Sequence, residues 1–396
     1  MSQAREVVFV SGVRTAIGTF GGSLKDVPPT KLGAAVVREA IKRAGIDSAE
    51  VGSIVFGHII NTEPRDMYMA RVAGIEGGLP IETPALTLNR LCGSGLQAVV
   101  SAAQQIMLGD VDIAIAGGAE SMSRAPYNIP SERWGQKMGD AKVIDMLLGT
   151  LHDPFGHGHM GVTAENIAGK WQITREAQDA FALESHQRAA KAKAAGYFKD
   201  QIVPFEIDSK KGKIAFDNDE HVRTDVTADN LRSLKPVFKK DGTVTPGNAS
   251  GINDGAAALV MMEAGVAAKK GLKPMARLVA YGISAVEPSE MGVGPITAVQ
   301  SALKKAGLKV SDMDVVESNE AFAAQALVVA KELGFDPAKT NPNGGAVALG
   351  HPVGASGAIL TVKTIYELKR TNTRYGLITL CIGGGQGIAA IIENLK

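Results

Sequence analysis

The sequence reads as an α/β protein made of two similar halves. Each half is a mixed sheet layered with helices, and a polar lobe is inserted in the first. Three observations predict this. Strand-sized apolar runs alternate with helix-sized amphipathic runs, the pattern of mostly parallel sheets covered by helices. One layout of elements occurs twice at a constant offset. The segment from about Ser123 to Ile252 fits neither copy.

The repeat begins with Arg38–His58, REAIKRAGIDSAEVGSIVFGH, against Gln300–Glu320, QSALKKAGLKVSDMDVVESNE, 262 residues later. Each reads as an amphipathic helix ending in Ala-Gly, a short polar loop and a strand. Lys42, Ala44 and Gly45 match Lys304, Ala306 and Gly307. At the same offset Ser94-Gly95 falls on Ser356-Gly357. Both pairs lie in a glycine-rich turn that opens an apolar helix. The helices lead to the glycine-ended strands IAIAGGAES and LITLCIGGGQG, with a few extra residues expected around Arg370–Arg374. The first half is therefore placed at 1–122, completed by 253–273, and the second at 274–396. The lobe takes 123–252, with a helix over Arg175–Ala195 and the charge runs Lys210-Lys211-Gly212-Lys213 and Lys239-Lys240-Asp241. Two related halves place a site at their junction.

A length of 396 residues fits two or three domains. With 45% hydrophobic and 21% charged residues the chain is ordinary globular material, and a net charge of +1 argues against bulk binding to nucleic acid or anionic membrane. The start, MSQAREVVFVSGVRT, lacks the long apolar run and cleavage site of a signal peptide. No stretch approaches the ~18 apolar residues of a membrane span. Asn394-Leu395-Lys396 is no peroxisomal address. The two cysteines, Cys92 and Cys381, sit beside glycines in motif-like settings, so free thiols in the cytoplasm are expected rather than a disulfide.

Cys92 stands in Leu91-Cys92-Gly93-Ser94-Gly95-Leu96, between a strand and a helix. A helix N-terminus favours thiolate, which predicts a lowered pKa and a nucleophile. Its flanking glycines are expected to let a substrate approach. His351, in Gly350-His351-Pro352-Val353-Gly354, falls by the repeat close to the Cys92 equivalent and is placed to take that proton. Taken alone, a loop histidine has a plainer reading, a ring bonded to backbone. Cys381 ends the last strand of the second half, before Gly383-Gly384-Gly385. It suits a general base, with a pKa nearer neutrality than Ser or Thr reaches, and the glycine N–H groups suit an oxyanion. The plain alternative is a small apolar filler. Asn319, in Asn319-Glu320-Ala321-Phe322, can orient a water or donate to an oxygen, though an Asn at a strand end is more often a turn former. His152, His157 and His159 cluster in LHDPFGHGHM, but their spacing is no strong metal pattern, and no metal is expected. Walker and Rossmann signatures are missing.

Together these motifs resemble the thiolase family. The matching runs are Asn89–Gly95, Gly117–Ser123, Gly247–Ser250, Asn319–Gln325, Asn341–Gly357 and Cys381–Gly387. They cover essentially the whole chain. Asn61–Arg71, NTEPRDMYMAR, looks like the bacterial β-ketothiolases that supply polyhydroxyalkanoate synthesis. The resemblance implies that acyl-CoA acylates Cys92, activated by His351. It implies that Cys381 moves the α-proton of a second acetyl-CoA, and that Asn319, through a water, and His351 hold the enolate. The N–H groups of Cys92 and Gly383 hold the acyl-step oxyanion. Coenzyme A binds at the lobe, with Leu151, His159, Met160, Arg223, Ala249, Ser250, Met291 and Phe322 in pocket positions. A homotetramer of tight dimers is implied, and no cofactor beyond the coenzyme A substrates. Two residues depart from the family pattern: His58, where Asn or Gln is common, and Pro246, where Ala is. Either could shift acyl-chain preference.

The expected reaction is the reversible condensation of two acetyl-CoA to acetoacetyl-CoA and free coenzyme A. The rivals are a 3-ketoacyl-CoA thiolase degrading longer chains, a β-ketoacyl carrier-protein synthase and a silent lipid-binding relative. The synthase would need a second His where Cys381 stands.

Overall fold

The computed structural model describes residues 5–209 and 212–395. The first four residues, Lys210, Lys211 and Lys396 lie outside the described residues, and with them part of the N-terminal run, of the 210–213 charge run and of the C-terminal tripeptide. The first half supplies β1 (Val7–Thr15), α1 (Pro29–Ala44), β2 (Ser53–Gly57), α2 (Met69–Gly77), β3 (Ala85–Leu88), α3 (Ser94–Leu108) and β4 (Ile113–Ser121). The lobe contributes α4 (Met160–Lys170) and α5 (Arg175–Ala194), and the chain returns at β5 (Asn253–Glu263). The second half runs β6 (Ala276–Ala285), α6 (Gly294–Ala306), β7 (Val315–Ser318), α7 (Ala323–Leu333), α8 (Ala346–Leu349), α9 (Ser356–Thr371), β8 (Tyr375–Ile382) and β9 (Gln386–Asn394).

The main sheet has the order β7-β8-β9-β6-β1-β5-β4-β2-β3. Within each half the interior strands are buried on both faces, so they read as unbroken apolar runs. The halves join edge to edge only where Val8 and Phe9 oppose Arg277 and Ala276. α1 covers strands of the first half and α6 those of the second. Between them lie α3 and α9, packed on each other and on strands of both halves.

The offset of 262 survives in the element starts: β2 and β7 at 53 and 315, α3 and α9 at 94 and 356, β4 and β8 at 113 and 375. No extra residues occur near Arg370–Arg374. α9 runs one residue longer than α3 and its following loop is one shorter, so the strands stay in step. Both Ala-Gly helix ends are left-handed caps, Gly45 at φ 66° and Gly307 at φ 67°, a conformation that costs glycine little.

The matched Ser-Gly pairs mark where α3 and α9 cross. A Cβ on Gly95 would lie 2.6 Å from the Ala358 nitrogen, and one on Gly357 would lie 2.2 Å from the Leu96 nitrogen. Only glycine at both places lets the helix starts touch. Leu96 beside them is fully buried, which stabilises by roughly 1.5–3 kcal/mol. The lobe is fastened to β1 by a buried ion pair, Arg14 to Asp219 at 2.7 Å. Removing one partner of such a pair costs about 3–5 kcal/mol, because the other charge is left dry and alone.

Candidate active site

The turn from β3 to α3 presents Cys92. Asn89 Oδ1 accepts from the Leu91 N–H at 2.9 Å. Ser94 Oγ accepts from the Arg90 N–H at 2.8 Å and donates to the Leu91 carbonyl at 2.7 Å. Leu91 itself is left-handed, at φ 44°, a strained place for a branched side chain. The flanking glycines are used up by packing: a Cβ on Gly93 would lie 2.5 Å from Ile382 Cδ1. They permit the close fit of the halves.

Cys92 is half-buried and free. Its thiol is not held as thiolate. Burial pushes its pKa up to about 11, and the N–H groups of Gly383 and of Cys92 itself pull it back only in part. The helix begins two residues later, at Ser94, so the dipole does not offset the apolar walls. The expected lowering is therefore reversed. The same two N–H groups converge on the sulfur, which makes them available to an oxyanion forming there.

His351 comes from the equivalent turn of the second half. Its N–H donates to Asn253 Oδ1 at 2.9 Å. Its Nδ1 lies 2.6 Å from Ser356 Oγ, and Ser356 Oγ lies 2.9 Å from the Pro352 carbonyl. A carbonyl only accepts, so the serine proton goes to Pro352 and the serine oxygen accepts from Nδ1–H. That assigns the tautomer: Nε2 is left with its lone pair, 3.3 Å from Asn319 Nδ2, which can donate to it. Burial lowers the ring's pKa to about 4, so it rests neutral.

Cys381 lies at the end of β8, opposite Gly387 of β9, and is fully buried. Met160, Met291, Ala321 and Phe322 pack around it. Burial first, then the neighbouring Cys92, raise its pKa beyond the ordinary thiol range, so at rest it is a thiol. Gly383 follows in the turn, where a Cβ would lie 2.9 Å from the Met160 methyl.

Cys92, His351, Cys381 and Gly383 line one cavity of about 60 Å³. Of the other residues singled out, Leu151, His159, Met160, Ser250, Met291 and Phe322 line it too. Ala249 sits behind, bridged to Phe322. Asn319 faces His351 from a second, smaller cavity of about 20 Å³ shared with Ser356. Arg223 lies outside both, exposed on the lobe. His58 and Pro246 do not line the cavity; His58 is buried with Nδ1 donating to the Ala119 carbonyl at 2.8 Å, and Pro246 is exposed. Two of the clustered lobe histidines are engaged: His152 Nδ1 donates to the Leu148 carbonyl, His159 Nδ1 accepts from the Gly161 N–H, and the His159 ring stacks on Phe238. Burial lowers the His159 pKa to about 4.

Sequence reasoning missed Ile59, Thr150, Ala321 and Val353 in the walls, and Asn253 and Ser356 behind His351. Ser356 could have been found, because it is the repeat partner of Ser94. Asn253 carries no such signal, since it enters from β5.

The chain matches the thiolase N-terminal domain over residues 7–265 and the thiolase C-terminal domain over 272–394. It is 64% identical to β-ketothiolase BktB of Cupriavidus necator, across 99% of this chain and 100% of that one. It is 51% identical to an acetyl-CoA acetyltransferase of Chromobacterium violaceum, across 98% and 100%. Among solved structures, acetyl-CoA acetyltransferase of Bacillus anthracis superposes with a TM-score of 0.98 at 46% identity, covering both chains fully. Human mitochondrial 3-ketoacyl-CoA thiolase gives 0.97 at 46%, covering 99% of each.

Proposed function

The chain belongs to the thiolase family of acyltransferases, and from that premise we propose that it condenses two acetyl-CoA into acetoacetyl-CoA and free coenzyme A, reversibly. One observation carries the reading: two thiols, a neutral histidine with an open Nε2 and a converging pair of backbone N–H groups surround one small apolar cavity.

Protonation states order the steps. In the first, the Cys92 sulfur attacks the thioester carbonyl while its proton passes to His351 Nε2. The N–H groups of Cys92 and Gly383 hold the oxyanion. The bond to the coenzyme A sulfur breaks, and that sulfur takes the proton of Cys381. Acetyl-Cys92, a charged imidazolium and the Cys381 thiolate remain. Both are now what the second step needs. Cys381 removes the α-proton of the second acetyl-CoA, while His351 Nε2–H and Asn319, through a water, hold the enolate. The carbanion attacks acetyl-Cys92, the C–S bond breaks, and the Cys92 sulfur regains its proton from His351. Cys381 keeps the α-proton, so the site returns to its starting state. Raised resting thiol pKa values fit this scheme, since Cys92 gives up its proton only as it attacks and Cys381 is ionised only while the acetyl group is on Cys92.

The lobe is the proposed coenzyme A platform, with Arg223 outside the cavity placed for its charged end and Ala249 and Ser250 beside the thioester. The apolar exposed segment holding Tyr127, Ile129, Trp134 and Met138, with the thinly covered edge strand β3, supports assembly as a dimer of dimers. Among the described residues no helix is long and apolar enough to cross a membrane, and we place the enzyme in the cytoplasm. Its product feeds polyhydroxyalkanoate synthesis in this reading. A second reading, thiolysis of longer 3-ketoacyl-CoA, draws on Met160 and Met291 in the walls, since methionine side chains repack around different chain lengths.

Absorbance of magnesium–acetoacetyl-CoA, followed as coenzyme A is added, tests the activity. Parallel initial-rate lines and an acetyl group on Cys92 are expected. Intersecting lines without the adduct exclude the scheme. A series of 3-ketoacyl-CoA lengths decides between the two readings.

A further inference from the structure

Glu320 follows Asn319 in the chain and takes no part in the steps above. It is 2% exposed, and its carboxylate has three donors, one from α5 of the lobe and two from the 341–347 segment. Ser185 Oγ, from α5 of the lobe, lies 2.7 Å from Oε2. The Val347 N–H of α8, on the approach to His351, reaches the same oxygen at 3.2 Å. Asn341 Nδ2 reaches Oε1 at 2.8 Å.

Each donor is itself held. Asn341 is left-handed at φ 44°, and it grips the end of β7 by accepting from the Ser318 N–H at 2.9 Å and donating to the Ser318 carbonyl at 2.8 Å. Ser185 Oγ also accepts from the Gly345 N–H at 3.0 Å. The fit leaves no room: a Cβ on Gly345 would lie 2.1 Å from the Glu320 carboxyl carbon. A buried carboxylate held by three donors is costly to assemble and rigid once assembled.

His351 does not need this hub, since Asn253 and Ser356 hold it from other directions. Asn319 does. Its N–H bonds the Thr379 carbonyl, but among the described residues its side chain has only His351 as hydrogen-bond partner.

We propose that Glu320 is a positioning residue for the proton-transfer half-reaction: its carboxylate ties α5 of the lobe, the 341–347 segment and the end of β7 together, and so fixes the Asn319 amide beside His351. The inference rests on the reading of Asn319 as a holder of the enolate. Because Ser185 belongs to the lobe, the hub also couples the proposed coenzyme A platform to the group that holds the enolate.

Glu320→Gln tests it. Glutamine has one oxygen and one amide NH2, so at least one donor loses its acceptor while volume is kept. Two rates are read on acetyl-CoA: acetylation of Cys92 by rapid-quench mass spectrometry, and entry of solvent deuterium into the acetyl methyl by NMR. Exchange should fall about ten- to a hundredfold, as for a misplaced group, while acetylation falls less than about threefold. Asn319→Ala sets the benchmark. The double variant should exchange no more than about twofold slower than Asn319→Ala alone, because Glu320 acts through Asn319. An equal fall in both rates overturns the inference, as does a double variant that adds the full second loss. Wild-type exchange in Asn319→Ala removes the reading beneath it, and the inference with it. If Glu320→Gln does not fold, Ser185→Ala removes a single donor; exchange should then fall about two- to fivefold with acetylation spared, and an equal fall again overturns the proposal.

Discussion

Ser94 and Ser356 occupy the same place in the two halves, each opening a central helix whose next residue is the glycine at the crossing. Ser94 spends its hydroxyl on its own turn, donating to Leu91 and accepting from Arg90. Ser356 donates to Pro352 and accepts from the His351 ring. In the proposed mechanism one scaffold thus serves a nucleophile in the first half and orients its proton acceptor in the second. Strand ends differ in the same way. At the offset of 262, Gly57 falls on Asn319 and Ala119 on Cys381. In the proposed mechanism the first half contributes one reacting side chain, Cys92, and the second contributes three, His351, Cys381 and Asn319. The two halves share the geometry, and single side chains set them apart.

The comparison breaks first at Cys92. Cys92→Ser should fold and lose about 10⁴-fold or more in kcat, since the replaced atom forms the covalent bond. A folded variant with near wild-type turnover would move the nucleophile elsewhere. Cys381→Ser should be gentler and selective. Acetylation of Cys92 should persist, while deuterium exchange into acetyl-CoA falls about a hundredfold or more. Wild-type exchange would remove Cys381 from the proton path.

Reactivity of the resting thiols is the next test. With its pKa raised to about 11, Cys92 is mostly thiol at neutral pH, and its thiolate fraction grows as pH rises. Iodoacetamide labelling should therefore be slow at pH 7 and rise about tenfold per pH unit through pH 9, with buried Cys381 labelled later. A rate that levels off below pH 8 would show a thiolate held by the helix start. The smallest effect separates the two serines. Ser356→Ala should lower kcat about tenfold and shift its pH profile, because the His351 tautomer is freed. Ser94→Ala should act on the turn instead, lowering Tm with the pH profile unchanged. Identical pH profiles in the two variants would erase the distinction.

Much of this was legible from residues alone. The repeat register and the insertion follow from local patterns and one offset, and apolar periodicity and Ala-Gly helix ends are enforced by local sterics. His351, Cys381 and Asn319 each have a plainer reading alone, and their proposed roles come from the resemblance to the family. Glycines beside Cys92 were legible as meaningful but not in purpose, since their partners, Ile382 and the start of α9, are hundreds of residues away. Asn253 was invisible for the same reason: it reaches His351 only because β5 re-enters the first half.

What the sequence by itself determined is which elements form and which side chains can do chemistry, because propensity, capping and nucleophilicity belong to residues and their near neighbours. Tertiary structure decided the protonation states. Cys92 at a helix start is a candidate thiolate in sequence; in the fold the apolar walls outweigh the distant dipole and keep it a thiol. Cys381 and neutral His351 are set the same way. Charge is a property of the surrounding medium, and that medium exists only once both halves and the lobe have closed around the site.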